Sequence, residues 1–366
     1  MIIEQIETFR VAVPLIKPFK TALRTVTTAE SIFVKISCDN GIVGWGEAPP
    51  TVVITGDSLS SIESAIHHVI KPFLQKKNLF QYEVIFQGLK TLLVGNSSPK
   101  AAVDMALYDC LSQFCKLPLY QFLGGHKKEM ETDFTVSVNG PEEMGDDAVS
   151  YIQKGFNVLK VKVGKDDIAA DIERIQEIRR RVGYDIKIRL DANQGWTAKD
   201  AIRAIRKMED SDLQIELVEQ PVEADDIEGL KQVTDAVETL IMADESVFTP
   251  KQAFQVLKTR SADLINIKLM KAGGIYQAQI INHLAETCGV ECMVGSMIET
   301  RLGITAAAHF AASKQNINRF DFDAPLMLAK EIVEGGVHYN SRFITMPEAP
   351  GLGIKSIDVE GGVLIG

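Results

Sequence analysis

Three acidic residues each follow a short apolar run that is typical of a β-strand. Asp191 follows Ile-Arg-Leu, Glu219 follows Glu-Leu-Val, and Asp244 follows Ile-Met-Ala. Carboxylates that converge without a cation repel one another and shift their pKa values. Oxygen ligands without His or Cys favour Mg²⁺ or Mn²⁺ over Zn²⁺. The three acids therefore predict a site for a hard divalent cation.

Three lysines have a similar placement in the sequence. Lys160 and Lys162 alternate with aliphatic residues in one predicted strand, and Lys268 ends another. Side chains alternate between the two faces of a strand, so Lys160 and Lys162 share a face. Lysines are almost never buried without a partner. We therefore expect this face to line an interior that also holds the acids.

The region after residue 134 alternates between apolar strands and amphipathic helices. Eight such βα units predict a parallel (β/α)₈ barrel, with its chemistry at the carboxyl ends of the strands. No clear helical pattern follows the eighth strand. The predicted strands are Phe134–Val138, Val158–Val163, Ile186–Leu190, Ile215–Val218, Leu240–Ala243, Leu264–Lys268, Glu291–Val294 and Arg319–Phe322.

The order of the strands suggests a reaction. Lys162 lies on the second predicted strand and Lys268 on the sixth, which places them on opposite sides of a closed eight-stranded barrel. The three acids lie on the strands between them. A substrate carboxylate held by the cation would present its α-carbon to both lysines. One lysine would remove the α-proton and the other would return a proton to the opposite face.

The first 125 residues have a different pattern. The strand-like segments 32–36 and 43–47 flank Asp39-Asn40-Gly41, which predicts a hairpin, and helical patterns follow over residues 58–123. We therefore predict an α+β capping domain over residues 1–125 and a (β/α)-barrel domain over residues 126–344. The Gly-rich tail, residues 345–366, is predicted to return to the capping domain.

Several segments resemble the muconate-lactonizing subgroup of the enolase superfamily, and the similarity extends over essentially the whole chain. This resemblance implies a modified TIM barrel, bound Mg²⁺ and lysine acid–base catalysts, a pairing well established for that superfamily. Lys162 and Lys268 would be the catalysts, and Asp191, Glu219 and Asp244 the metal ligands. The segments are Lys160–Lys162, Asp191–Asn193, Val218–Pro221, Ala243–Ser246, Lys268–Gly274 and, in the capping domain, Gly44–Glu47.

Asp321-Phe322-Asp323 resembles the Asp-x-Asp segment of the dipeptide epimerases within that subgroup. Residues two apart on a strand share a face, and two acids suit an ammonium group. The resemblance implies that Asp321 and Asp323 bind the α-ammonium of a dipeptide. It implies epimerisation at the C-terminal residue of an L,L-dipeptide of the L-Ala-L-Glu type, in murein peptide metabolism.

The same resemblance implies further contacts with substrate. Arg24, in the predicted capping loop, would hold the carboxylate of a Glu side chain, a geometry that suits a guanidinium. Phe19 in that loop would instead favour a hydrophobic C-terminal residue, so the preferred dipeptide stays open. The other implied contacts are Thr135, Lys160, Ser296 and Ile298.

Related reactions are distinguished by single positions. Acid-sugar dehydration uses a His on the seventh strand and an Asp on the sixth, whereas this sequence has Lys268 on the sixth and no His near Gly295. Cycloisomerisation and o-succinylbenzoate synthesis keep the lysines and the metal, and they form the alternative function. Their substrates have no ammonium group, so Asp321 and Asp323 argue against them.

Composition limits the class of protein. The net charge is −10, which argues against a nucleic-acid or anionic membrane surface. The sequence has neither a signal-peptide pattern nor a long apolar run. Its five cysteines form no CxxC pair, which predicts reduced thiols and a cytoplasmic protein. The expected partner is a small dipeptide, and the family resemblance suggests a homo-oligomer.

Overall fold

The structure, a computed structural model, describes residues 1–360; residues 361–366 of the predicted tail lie outside the described residues. The chain begins with an antiparallel sheet of three strands, β1 (Ile3–Lys20), β2 (Thr25–Cys38) and β3 (Val43–Ala48). The predicted hairpin at Gly41 is confirmed as the turn between β2 and β3. Another turn, Thr21–Arg24, joins β1 to β2.

Helices cover one face of this sheet. The longest, α4, is buried along nearly its whole length and packs directly on β3. This close packing requires glycine, because a Cβ at Gly44 or Gly46 would clash with the carbonyl oxygen of Ala106 or Ala102 in α4. The helices are α1 (Leu59–Ala65), α2 (Lys71–Leu74), α3 (Tyr82–Leu92), α4 (Ser97–Phe114) and α5 (Leu119–Phe122), with a π-helix at Ile66–Ile70 and a 3₁₀ turn at Leu79–Gln81.

The eight predicted parallel strands are confirmed. After the short strand β4 (Glu129–Glu131), they pair in chain order and curl into a barrel, and the Asp133 N–H donates to the Phe320 carbonyl (3.2 Å) to bring the first strand beside the eighth. Their bounds are β5 (Phe134–Val136), β6 (Val158–Lys162), β7 (Lys187–Asp191), β8 (Ile215–Glu219), β9 (Leu240–Ala243), β10 (Leu264–Ile267), β11 (Glu291–Val294) and β12 (Ile317–Phe320).

Amphipathic helices alternate with these strands. Side-chain oxygens cap several of them, as at Asp167 and Thr249, where each accepts a backbone N–H of the first helical turn. The helices are α6 (Pro141–Gln153), α7 (Ile168–Val182), α8 (Ala198–Asp210), α9 (Ile227–Ala236), α10 (Pro250–Thr259), α11 (Leu269–Ala272), α12 (Ile275–Thr287) and α13 (Arg301–Ala312). Within residues 1–360, no helix is both long and apolar enough to cross a membrane.

The segment after β12 differs from a regular βα unit. A 3₁₀ turn at Ala324–Met327 leads, without an α-helix up to residue 360, to β13 (Val333–Gly335), β14 (His338–Asn340), β15 (Phe343–Thr345) and β16 (Ile354–Ile357). Gly351 exchanges backbone hydrogen bonds with Leu117 and Leu119, and the Leu352 N–H donates to Asp109 on α4. The tail thus contacts the N-terminal helices, while the exact domain limits stay a prediction.

The floor of the barrel supports the residues at its mouth. Because side chains two apart share a face, Leu217 lies beneath Glu219 and Met242 beneath Asp244. Leu217, Met242, Leu264 and Met293 form a separate buried apolar cluster. Beside it, the Arg189 guanidinium binds Asp133 (2.9 Å) and Glu216 (2.7 Å). The polar residues above therefore rest on a packed layer and not on a channel.

The close contact between β3 and α4 yields the first prediction. Gly46→Ala places a methyl group against the Ala102 carbonyl, and we expect it to destabilise the protein by about 1–3 kcal/mol, as overpacking does. Gly140→Ala, at a position with open space and φ of −67°, is the control and should cost less than about 1 kcal/mol. Urea-unfolding midpoints measure both, and equal midpoints would contradict the packing argument.

Candidate active site

The three predicted metal ligands lie at the carboxyl ends of adjacent strands. Asp191 ends β7, Glu219 ends β8, and Asp244 follows β9 directly. Asp191 and Glu219 are paired in register across the two strands. All three side chains are at most 1% exposed. The fold therefore gathers three carboxylates at one edge of the barrel interior, out of contact with water.

Lys160 lies among these carboxylates. Its Nζ contacts Glu219 Oε2 at 2.7 Å, Asp321 Oδ2 at 2.8 Å and Asp191 Oδ2 at 3.2 Å. Lys162, two residues on along β6, contacts Asp191 Oδ2 at 2.5 Å. Both lysines face the interior, as strand alternation predicts, and their ammonium groups offset charge that burial would otherwise make very costly.

Lys268 approaches from the opposite side of the barrel. The structure ends β10 at Ile267, and Lys268 is the extended residue that precedes α11. Its Nζ contacts Asp244 Oδ2 at 2.8 Å. Lys271, one turn later, is buried, and its Nζ contacts Asp244 Oδ1 at 2.6 Å. Asp244 is thus held by two ammonium groups.

These contacts shift the pKa values of the three acids in different directions. Burial raises the pKa of Asp191, but the Lys162 and Lys160 ammonium groups outweigh it and lower the value to about 2. Burial and the neighbouring Asp191 raise the pKa of Glu219 to about 7. The pKa of Asp244 falls well below its usual range because Lys268 and Lys271 outweigh the effect of burial. The carboxylates with the closest lysines thus remain charged.

Additional oxygen groups surround the acids. Glu245 is buried beside Asp244, and burial together with Asp244 raises its pKa to about 8. The Asn193 amide donates to Glu245 Oε1 (3.3 Å), and Asn266 donates to Glu219 Oε1 (2.7 Å). Within the described residues, Asn193 Oδ1 and Glu245 Oε2 are buried and accept no hydrogen bond. This oxygen-rich donor set fits a hard divalent cation.

The spacing of the side chains qualifies that fit. Across residues 1–360, no three His, Cys, Asp or Glu side chains are arranged as a metal-binding cluster. The lysine ammonium groups lie against the carboxylates instead. A cation at this site would therefore replace lysine contacts, and these lysines would gain freedom to reach a substrate.

Asp321 and Asp323 follow β12 and have different partners. Asp321 contacts Lys160, and Lys160 outweighs burial to lower the pKa of Asp321. Asp323 Oδ2 accepts the backbone N–H of Thr135 at 2.6 Å, while burial and Asp321 raise the pKa of Asp323 to about 7. Both acids face the cavity. The site thus has a charged acid next to one that titrates near neutrality.

One cavity brings the predicted residues together. It lies between the barrel mouth and the loops of the N-terminal domain, with the three predicted metal ligands buried beneath it. Sequence patterns missed the lining residues Thr21, Leu23, Val53, Ile54, Asn193 and Met297, which belong to loops without periodicity. The predicted residues that line it are Arg24, Thr135, Lys160, Lys162, Lys268, Ser296, Ile298, Asp321 and Asp323, together with Phe19.

Arg24 and Phe19 reach this cavity from either side of the turn between β1 and β2. The Arg24 guanidinium is half-buried, burial lowers its pKa, and within residues 1–360 it has no carboxylate partner. Phe19 packs its ring 5.7 Å from Lys162 Nζ. The N-terminal domain therefore supplies an unpaired cation and an aromatic face to the cavity.

Comparisons with known proteins agree with this architecture. Residues 4–124 match the mandelate racemase/muconate lactonizing enzyme N-terminal domain, and residues 143–358 match the enolase C-terminal domain-like family. The chain is 69% identical to the L-Ala-D/L-Glu epimerase of Bacillus subtilis, with 97% of each chain covered. It is 45% identical to the hydrophobic dipeptide epimerase of Enterococcus faecalis, over 97% of this chain and 100% of that one.

Solved structures give the same result. The substrate-liganded L-Ala-D/L-Glu epimerase from Bacillus subtilis matches with a TM-score of 0.97 at 68% identity, over 98% of this chain and 100% of that one. The Enterococcus faecalis dipeptide epimerase, complexed with Mg and L-Leu-L-Tyr, matches with a TM-score of 0.94 at 45% identity, over 97% and 100% of the two chains.

The three contacts of Lys160 yield the second prediction. Lys160→Met leaves the buried carboxylates of Glu219 and Asp321 without an ammonium partner, and we expect it to lower stability at pH 7 by roughly 3–5 kcal/mol. Asp191 and Asp321 have lowered pKa values, so their ion pairs stabilise the fold above about pH 4. The loss relative to wild type should therefore shrink as the pH falls through 4 towards about 2.

Urea unfolding with EDTA present, so that no divalent cation compensates, measures this loss. Lys162→Met is the matched control, because Lys162 lies on the same strand but contacts one carboxylate where Lys160 contacts three. Its effect should be smaller. A deficit for Lys160→Met that does not change with pH would contradict the ion-pair explanation.

Proposed function

Because this chain belongs to the mandelate racemase/muconate lactonizing enzyme family of enolase-like proteins, we propose that it is a dipeptide epimerase. It inverts the α-carbon of the C-terminal residue of an L,L-dipeptide. The observation that carries this proposal is the placement of Lys162 and Lys268, which line one cavity from opposite sides of the barrel.

The two lysines perform a 1,1-proton transfer. One neutral amine removes the α-proton from one face of the substrate, and the ammonium of the other delivers a proton to the opposite face. Such positioned acid–base groups contribute about 10²–10⁴-fold to rate. Lys160 lies beside Lys162 as a permanent cation, because its three carboxylate partners outweigh burial and raise its pKa. It is placed to bind the substrate carboxylate.

Asp191, Glu219 and Asp244 would hold Mg²⁺, and Mn²⁺ has the same preference for oxygen ligands. A bound cation would supply charge stabilisation for the substrate carboxylate. The same protein carboxylates contact Lys162 and Lys268. A bound cation would take the place of these contacts and free both amines to reach the substrate.

Asp321 and Asp323 bind the substrate's α-ammonium group. Asp323 is fixed by the Thr135 N–H, and the Tyr339 hydroxyl donates to the Phe322 carbonyl (2.7 Å) between the two acids. A free ammonium distinguishes a dipeptide from the substrates of cycloisomerases and o-succinylbenzoate synthases. These acids therefore favour epimerisation over that alternative, as do the epimerases among the related proteins.

Arg24 selects a side-chain carboxylate at the C-terminal residue. An unpaired, half-buried guanidinium at the cavity wall suits an anion, and L-Ala-L-Glu provides one. Phe19, Leu23, Val53 and Ile298 give the same wall an apolar part, which admits hydrophobic dipeptides as a second substrate class. The Ala-Glu specificity would serve murein peptide metabolism.

The cysteines bear on the cellular setting. Cys38, Cys110, Cys115, Cys288 and Cys292 are all free thiols in the structure, which suits a reducing compartment such as the cytoplasm. We also propose that the protein forms a homo-oligomer, and sedimentation of the purified protein measures its oligomeric state.

The third prediction tests the reaction itself. With Mg²⁺ in D₂O, L-Ala-L-Glu should gain one deuterium at the α-carbon of Glu while the D-Glu epimer accumulates, because the returned proton comes from a lysine in exchange with solvent. Mass spectrometry and chiral chromatography measure the two events. No deuterium in any member of a pool of dipeptides would contradict the proposed function.

Variants of the two lysines serve as controls for that experiment. Lys162→Ala and Lys268→Ala should each abolish net epimerisation, since inversion requires both faces. Each variant should still exchange the α-proton of the one epimer whose face the remaining lysine reaches. Full epimerisation by either variant is incompatible with a two-base mechanism.

The fourth prediction concerns specificity. Arg24→Met removes the cation but keeps the length of the side chain, and we expect kcat/KM for L-Ala-L-Glu to fall by about 10²-fold. The value for L-Ala-L-Leu, which lacks the side-chain carboxylate, should change by less than about threefold. Equal losses for both dipeptides would show that Arg24 does not select the substrate charge.

A further inference from the structure

Two buried carboxylates of the N-terminal domain contact the N-terminal ends of barrel helices, outside the cavity. Asp104 lies on α4 and Glu47 on β3, and each accepts backbone N–H groups at the start of a helix that follows an active-site strand. We call them the cap carboxylates. A carboxylate at a helix N-terminus satisfies N–H groups that the helix cannot pair internally and interacts favourably with its dipole.

Asp104 binds the first turn of α12. Its Oδ1 accepts the Ile275 N–H at 2.6 Å and its Oδ2 accepts the Tyr276 N–H at 3.3 Å. Gly274 adopts φ of +117°, and a Cβ there would clash with the Asp104 carboxylate. Asp104 is only 2% exposed. The contact is therefore close, buried and dependent on glycine.

The chain between this contact and Lys268 has little freedom. Lys268 directly precedes the single turn α11, and the Leu269 carbonyl accepts the N–H groups of both Gly273 and Gly274 at 2.9 and 3.0 Å. Leu269 is itself buried against the core. A shift at Ile275 would therefore pass through this turn to the backbone of Lys268.

Glu47 makes the equivalent contact with α13. Its carboxylate accepts four hydrogen bonds, from the Ser31 hydroxyl (2.7 Å), the Thr300 N–H (2.9 Å), the Thr300 hydroxyl (2.7 Å) and the Gly303 N–H (2.8 Å). The residues just before Thr300, which include Ser296 and Ile298, form one wall of the cavity. Glu47 thus fixes the helix that follows this wall.

The cap carboxylates belong to one closely packed unit, formed by β3 and α4. Gly44 and Gly46 let β3 lie directly on the backbone of α4 at Ala102 and Ala106. Ala102 and Ala106 flank Asp104 on α4, and Gly44 and Gly46 precede Glu47 on β3. A displacement of this unit would therefore reach α12 and α13 together.

We propose that Asp104 and Glu47 are positioning residues of the epimerase reaction. Asp104 sets the position of Lys268, and Glu47 sets the substrate-binding wall at Ser296–Ile298. This proposal rests on the proposed function, and it assigns to the N-terminal domain a part in placing a catalytic amine in addition to its part in lining the cavity.

Asp104→Asn and Glu47→Gln test the proposal, because each keeps the shape of the side chain but turns an NH₂ group towards backbone N–H groups. Asp109→Asn is the matched control. Asp109 lies on the same helix, is equally buried and accepts two backbone N–H groups, from Trp45 (3.0 Å) and Leu352 (2.8 Å), but neither belongs to α12 or α13.

The measured quantity is the ratio of α-proton exchange rates of the two epimers in D₂O with Mg²⁺. Lys162→Ala identifies the epimer that Lys268 deprotonates, since that exchange survives in the variant. In Asp104→Asn, exchange of this epimer should fall at least about tenfold more than exchange of the other, with KM within about threefold. Glu47→Gln should raise KM about tenfold and leave the ratio unchanged. Asp109→Asn should change neither.

A purely structural role predicts a different result. Equal losses for both epimers in Asp104→Asn, or the same asymmetry in Asp109→Asn, would overturn the positioning of Lys268. A normal KM in Glu47→Gln would overturn the positioning of the wall. If Asp104→Asn does not fold, Asp104→Glu, which retains the carboxylate at a changed distance, is measured by the same ratio and judged by the same outcomes.

The wild-type protein separates this proposal from the proposed function. If wild type exchanges no dipeptide proton, the epimerase function fails. The capping contact is then measured alone, by amide hydrogen exchange at Ile275 and Tyr276. Faster exchange there in Asp104→Asn than in Asp109→Asn supports the contact, and equal protection overturns it.

Discussion

The charges at the centre of the barrel are held away from water, and each is tolerated only because opposite charge lies against it. Lys160 illustrates the constraint, since its one ammonium contacts Asp191, Glu219 and Asp321. Removing one partner of such a cluster leaves an uncompensated buried charge, which costs several kcal/mol. The cluster therefore requires strands that hold every member in register, and the parallel pairing of β6 with β7 and of β7 with β8 provides it.

This constraint explains which parts of the fold and site were predictable. Strand ends recur at regular intervals in the sequence, and a polar residue at each end is visible without a structure. Lysines that alternate with aliphatic residues, as Lys160 and Lys162 do, indicate a buried polar face. The eight strands and the positions of the acids and lysines followed from these two patterns. Two strands match their predicted bounds, and the other six differ by one to two residues at one or both ends, as where β10 ends at Ile267 and not at Lys268.

Other features have no local signal in the sequence. Lys271 looks like a solvated helix residue, yet it is buried against Asp244 and the carbonyls of Val247 and Asn266. Glu245, next to a metal-ligand candidate, could equally have faced solvent. The loop residues Val53 and Ile54 reach the cavity only through tertiary packing of the N-terminal domain. The residues after the eighth strand form the short strands β13 to β16, which pair with one another and with β4, and no periodicity encodes these pairings.

The barrel and the N-terminal domain have different roles at the site, and their structures explain the difference. The barrel holds charges that must stay fixed relative to one another, which suits strands with continuous hydrogen bonds. Arg24 lies in the turn between β1 and β2, and Phe19 lies at the adjoining end of β1. Their contacts decide the size and charge of the substrate, and a turn with its strand ends tolerates changes of sequence better than a buried ladder does. The two parts nevertheless cannot vary independently, because Asp104 and Glu47 tie the sheet and helix beneath that turn to α12 and α13. A substitution that displaced Asp104 or Glu47 relative to α12 or α13 would therefore affect the chemistry as well as the specificity.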